Sequence, residues 1–179
     1  AEACFIKVDS EDELGESAES FNRLILTLSE VLEAQTDVRR FSEMLTSHLE
    51  LETLANETLH HLMQTMQASG GVILTEQGGE LDVVASYAID LDKSPAVNSL
   101  FRLTLQKQER QIIRLPEDLM LDGVLAHYRP REILVEPILY KQVVIGILIL
   151  ATVETFSEAC LERMTVYGPI LSMAFNNAI

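Results

Sequence analysis

The 179-residue chain is expected to be α+β: a long N-terminal helix, then an antiparallel sheet flanked by helices. Three observations predict this. After Gly15, residues up to 66 include neither Gly nor Pro, as an extended helix requires. At Ser69-Gly70-Gly71 the apolar period changes from three-and-four spacing to short β-rich runs. Near the C-terminus two apolar runs flank the two-residue connection Lys141-Gln142, and a last helical pattern follows.

The first helix carries a heptad-like seam. Leu14, Ala18, Phe21, Ile25, Leu28 and Leu32 alternate steps of four and three, a stripe too narrow for a globular core and suited to pairing with another helix. Beyond Leu32 that frame would place Gln35, Arg39 and Ser42 in the seam. A frame shifted by one residue restores it through Val31, Ala34, Val38, Phe41 and Leu45, and such a slip locally over- or unwinds a coiled coil. Polar His48 and Glu52 then weaken the seam. From about Leu51 to Gln67 the apolar face broadens to Leu51, Leu54, Ala55, Leu59, Leu62, Met63 and Met66, ending at Ser69-Gly70-Gly71.

Val72–Leu74 and Leu81–Tyr87, separated by Gly78-Gly79, read as a hairpin. Asn98–Gln108 suggests a short helix and Gln111–Leu115 a strand, whereas 119–130 has no clear pattern. Glu132–Tyr140 and Val143–Thr152 form a second hairpin, and the latter, apolar on both faces, is expected to be a central covered strand. Ser157 is the expected N-cap of the closing helix, within which Pro169 should kink the chain near Thr165. That helix has two apolar faces: Leu161, Met164, Gly168, Leu171, Phe175 and Ala178 on one, and Val166, Ile170 and Met173 on the other. One face would pack on the sheet and the other on a partner helix.

Composition narrows the function. The chain is 47% hydrophobic, enough for one core of about 100–150 residues. The net charge is −15, and residues 1–60, with 14 acids against 4 bases, hold −10 of it. Without clustered Lys/Arg there is no footprint for nucleic acid or for anionic lipid. The acidity is that of a solvated helical face. No apolar run is long enough to span a bilayer, and the acidic N-terminus is unlike a signal peptide. Cys4 and Cys160 lack metal or CxxC spacing and are expected to be free thiols.

The pair of strands Leu134-Val135-Glu136-Pro137-Ile138 and Val144-Ile145-Gly146-Ile147-Leu148 resembles the central strands of a GAF domain. Phe156-Ser157-Glu158 and Ala174-Phe175-Asn176-Asn177-Ala178-Ile179 resemble the two ends of its closing helix. Upstream, Asp12-Glu13-Leu14-Gly15-Glu16, Ala18 and Phe21-Asn22-Arg23-Leu24 resemble the start of the second HAMP helix. Phe5-Ile6-Lys7-Val8 would be the end of the HAMP connector, although Ser17 replaces a usual apolar residue. The organisation these resemblances imply is a partial HAMP domain at 1–32, a coiled-coil linker helix at 33–50 and a GAF-like sensory domain at 51–179.

The implied function is a non-catalytic relay of a membrane-anchored receptor, working as a parallel homodimer and belonging to a sensor histidine kinase. The alternative is a small-molecule input domain of a chemoreceptor or diguanylate cyclase. The implied location is the cytoplasmic portion of an inner-membrane protein. The dimer interface is expected to use Leu14, Phe21, Ile25, Leu28, Val38, Phe41, Leu45, Leu171 and Phe175. No cofactor is expected: Cys160 falls on the closing helix, away from where a bilin would attach, and His127 is a lone histidine. If an unidentified small ligand binds, the resemblance places it between the sheet and 95–130, beside Tyr87, Phe101, Arg102, Leu105, Leu125, His127 and Tyr128. His60 and His61, about 100° apart on a helix, cannot share a metal. Nor is any nucleophile–base pair or phosphate loop evident.

Overall fold

The computed structural model describes residues 5–8, 12–47, 50–77, 80–89, 103–104, 106–115, 121–122, 127–128 and 130–179. Contacts divide the chain into two compact units, Ala1–Ser42 and Glu43–Ile179.

The first unit holds all but the last residues of helix α1 (Glu13–Ser47). The Asp12 carboxylate accepts from the backbone N–H groups of Leu14 (3.0 Å) and Gly15 (3.2 Å), satisfying two otherwise unpaired donors of the first turn. Asn22 straps residues 5–8 to the helix. Its Oδ1 accepts from Ile6 N–H at 2.8 Å, and its Nδ2 donates to Ile6 carbonyl at 2.7 Å. The early seam lies in water: Leu14 is 75% and Leu28 53% exposed, and Phe21 and Leu32 are also exposed. Ile25 and Val38 are half-buried, and Phe41 and Leu45 are buried.

Helix α2 (Leu51–Met66) does not simply extend α1, despite the absence of Gly and Pro. Glu50 is extended (φ −88°, ψ 123°), and its carbonyl accepts from Leu54 N–H at 2.9 Å to start a new helix. Propensity permits a continuous helix here but does not enforce one. The α2 stop also comes earlier than the glycines. Gln67 takes the left-handed conformation (φ 53°), and Ala68 N–H bonds the Met63 carbonyl, leaving Gly70 and Gly71 to begin a strand.

The remaining elements are β1 (Gly70–Gln77), β2 (Glu80–Tyr87), β3 (Gln111–Arg114), β4 (Leu121–Asp122), β5 (His127–Tyr128), β6 (Glu132–Tyr140), β7 (Val143–Thr152) and α3 (Glu158–Ala178). Five strands form one antiparallel sheet in the order β2-β1-β7-β6-β3, and β4 pairs separately with β5. As its doubly apolar sequence predicts, β7 is central. Its Gly146 lies against β1, where a Cβ would stand 2.6 Å from the Leu74 carbonyl oxygen. Lys141 (φ 48°) and Gln142 (φ 64°) turn β6 into β7 with two left-handed residues, the conformation that matches strand twist in a two-residue hairpin.

Strand alternation gives the sheet two different faces. Val72, Leu74, Ile133, Val135, Ile147, Ile149 and Ala151 form a buried apolar cluster on one face. Helices α2 and α3 pack on the sheet's other face: a Cβ on Gly71 would strike Leu59 of α2, and Ser172 of α3 bonds Leu139 N–H of β6 at 3.2 Å. Ser157 caps α3 as expected, accepting from Cys160 N–H at 3.3 Å. Met164, Tyr167, Leu171 and Phe175 are buried from α3, while Val166 and Met173 are exposed. Leu171 and Phe175 are therefore taken up within the chain. A side chain already covered by its own sheet has no surface left for a partner. Helix α3 runs through Pro169. Among the described residues, no helix is long and apolar enough to cross a membrane.

Candidate functional site

Glu132 and Glu136 interrupt an otherwise apolar β6, and both project to the helix-covered face. A buried carboxylate demands partners, because losing water without compensation costs several kcal/mol, on the order of the whole stability of a small domain. Strand β3 supplies them. Arg114 lies directly opposite Glu132 in the antiparallel register and bonds its Oε1 at 3.0 Å. Arg110, one residue before β3, stands opposite Glu136 by continuation of the same register and grips both its oxygens, with Nη2 to Oε1 at 3.2 Å and Nε to Oε2.

Arg110 also reaches α3. Its Nη1 donates to the Leu161 carbonyl at 2.8 Å and to the Thr165 hydroxyl oxygen at 3.2 Å. One guanidinium thus holds the start of β3, the middle of β6 and the first half of α3. Burial raises the Glu136 carboxyl above its usual range, and the Arg110 hydrogen bond and charge oppose that rise. Glu132 does different work: its Oε2 accepts from Phe156 N–H at 2.9 Å, fixing the chain as it enters α3.

Two concavities lie apart from this network. One, of about 530 Å³, sits within the first unit, where Ile6 and Val8 meet Leu14, Ala18 and Phe21. The other, of about 620 Å³, lies between α2 and the end of β2, lined by Asn56, His60, Met63, Gln64, Ser86 and Tyr87 among others.

Of the residues singled out from sequence for a ligand, only Tyr87 has a described side chain. Phe101, Arg102, Leu105 and Leu125 lie outside the described residues. His127 and Tyr128 pair through their backbones with Asp122 and Leu121, and their side chains lie outside the description. Tyr87 pairs with Gly71 and so shares the helix-covered face. It lines the α2 cleft. His60 Nε2 contacts Gln64 Nε2 at 2.9 Å, whereas His61 stacks toward Tyr167 (6.1 Å between ring centres). Cys160 is free, its thiol facing the Thr65 carbonyl at 3.9 Å. Among the described residues no cluster of His, Cys, Asp or Glu could hold a metal.

Sequence reading missed Arg110, and it met Glu136 only as one letter of a strand motif. The signal was present: Arg110 and Arg114 have the same four-residue spacing as Glu132 and Glu136, and antiparallel pairing sets the two sets in register.

A five-stranded antiparallel sheet with α2 and α3 on one face defines a class of small α+β domain. The chain belongs to the GAF domain family, whose model matches residues 50–175. Solved structures agree on the fold. The GAF domain of a phosphoenolpyruvate-protein phosphotransferase from Coxiella burnetii superposes with a TM-score of 0.65 at 14% identity, over 82% of this chain and 95% of that one. The GAF domain of a protein assigned as a sensor histidine kinase in Pseudomonas syringae pv. tomato gives 0.57 at 14% identity, over 84% and 90%. The phycoerythrobilin-bound GAF domain of a cyanobacterial phytochrome gives 0.58 at 18% identity, over 81% and 95%. No curated protein matches the chain.

Proposed function

We propose that the chain is a non-catalytic signal relay in which α1 pairs in parallel with a second copy and the GAF domain responds to, or biases, that pairing. The observation that carries this reading is the exposed apolar seam of α1. Leu14, Phe21, Leu28 and Leu32 stand in water at heptad spacing, an arrangement whose free energy falls when a second helix covers it. The one-residue frame shift between Leu32 and Val31 gives the paired helices two packings to choose between, the bistable element a relay needs.

The HAMP resemblance fits the same picture. Residues 5–8, strapped along the helix by Asn22, would be the end of the connector. The GAF domain of the Pseudomonas sensor histidine kinase and a methyl-accepting chemotaxis protein among the similar structures favour a receptor parent, of which a membrane-anchored histidine kinase is our first choice.

Sedimentation equilibrium tests the pairing. The chain should be a dimer at micromolar concentration, and Leu28→Glu should make it a monomer without moving the melting transition of the GAF domain. A wild-type monomer at high concentration would sink the relay reading.

A further inference from the structure

The geometry points to Arg110 as the residue that couples the edge of the sheet to the first half of the closing helix, with Glu136 as its anchor. This inference rests on the relay reading for its purpose, although it concerns contacts inside the GAF domain alone.

Pro169 has no amide hydrogen, so the Thr165 carbonyl lacks its donor four residues on, and Gly168 beside it adds backbone freedom. The helical ladder is therefore weakest across Thr165–Pro169. Arg110 grips the turn just before that weak point, through the Leu161 carbonyl and the Thr165 hydroxyl. Beyond it, the second half of α3 is held separately, by Leu171 and Phe175 in the core and by Ser172 bonded to Leu139 N–H. The two halves of α3 thus answer to different parts of the sheet, with the weakened turn between them.

Glu136 makes the grip directional. Its carboxylate lies under Gly168, where an added Cβ would come within 3.4 Å of Oε1, and it takes two of the guanidinium's donors. The fork fixes the orientation of Arg110, so the remaining donors can reach α3 only while β3 holds its place beside β6. Strand β3 is four residues long and lies at the sheet edge, paired among the described residues to β6 alone. A shift of the chain that enters β3 would withdraw Arg110, free the first half of α3 and allow it to swing about Gly168–Pro169. A buried ion pair is a poor device for stability, since apolar replacements of similar size often serve as well or better. It is a suitable device for registering whether two elements are in place.

Hydrogen exchange on the full chain across a range of sub-denaturing urea reads the coupling directly. In the wild type, amides of 111–114 and of 161–168 should exchange through one shared opening, with the same rate and urea dependence. In the double variant Arg110→Met, Glu136→Leu the apolar pair should keep the fold and its melting transition. Amides 161–168 should nevertheless exchange about tenfold faster and independently of β3, with β6 and β7 unchanged. A pair that only stabilises would have its exchange restored along with its melting transition, and that result would overturn the inference. So would independent opening of the two stretches in the wild type, a measurement that stands even if the variant fails to fold. Failure of the relay reading shows separately, in the sedimentation of the wild type, and leaves these rates untouched.

Discussion

Glu132 and Glu136 leave the same strand on the same face, four residues apart, and each meets an arginine from the edge of the sheet, yet they are held differently. Glu132 is 4% exposed, but its arginine, Arg114, is 84% exposed and touches nothing else among the described hydrogen bonds. The working partner of Glu132 is the backbone of Phe156. Glu136 and Arg110 are both largely covered, at 13% and 22%, and the arginine has further bonds into α3. Pairing pattern alone therefore says little about what an ion pair does. The second contacts decide it: one pair pins a loop, the other bridges three elements.

Removing the carboxylates should break this comparison most visibly. Glu136→Leu leaves a covered guanidinium with only a carbonyl and a hydroxyl for company, and the loss of one partner of a buried pair should cost about 3 kcal/mol. Glu132→Leu strands the Phe156 amide at about 1–3 kcal/mol, while Arg114 simply returns to water. Urea midpoints at constant slope would measure both, and equal losses would mean that the bonds of Arg110 to α3 contribute nothing.

A smaller effect separates burial from pairing at Glu136. Its carboxyl is raised above 4.5, by burial first, against the hydrogen bond and charge of Arg110. A raised folded-state value means that the folded chain holds the proton more tightly than the unfolded one. The group's contribution is then fully present below pH 4.5 and is lost as pH rises through the raised value. The stability of wild type relative to Glu136→Gln should accordingly fall on going from about pH 4 to about pH 7. A rise would show that Arg110 outweighs burial.

The fold was largely legible because its signals are local. A β-rich run on each side of Gly78-Gly79, a doubly apolar β7 and Ser157 ahead of an apolar helix each specify an element from a few neighbouring residues. The change of apolar face at Leu51 marked the start of α2, but the extended backbone of Glu50 was not legible, since nothing in the sequence forbids helix there. The site was less legible still. Whether Leu171 and Phe175 face inward or toward a partner depends on how α3 rolls on the sheet, which two similar apolar faces leave open. The face of Tyr87 was not legible because it follows from register with Gly71, a long-range fact. Arg110 was overlooked because its value comes from residues 26, 51 and 55 positions away.

The finest test of the comparison is Arg114→Ala. The guanidinium is mostly in water, so the Coulomb gain from Glu132 is screened and offset by the entropy of holding a long side chain. The expected loss is below about 1 kcal/mol, and it should shrink further on raising salt to about 1 M. The hydrogen exchange of α3 should be unchanged, because Glu132 keeps its bond to Phe156 N–H with or without the arginine. Arg110→Ala, by contrast, should speed exchange at 161–168 at any salt concentration, since its partners are covered. If Arg114→Ala also loosened α3, the two arginines would be acting as one edge clamp, and the distinction between pinning a loop and bridging elements would fail.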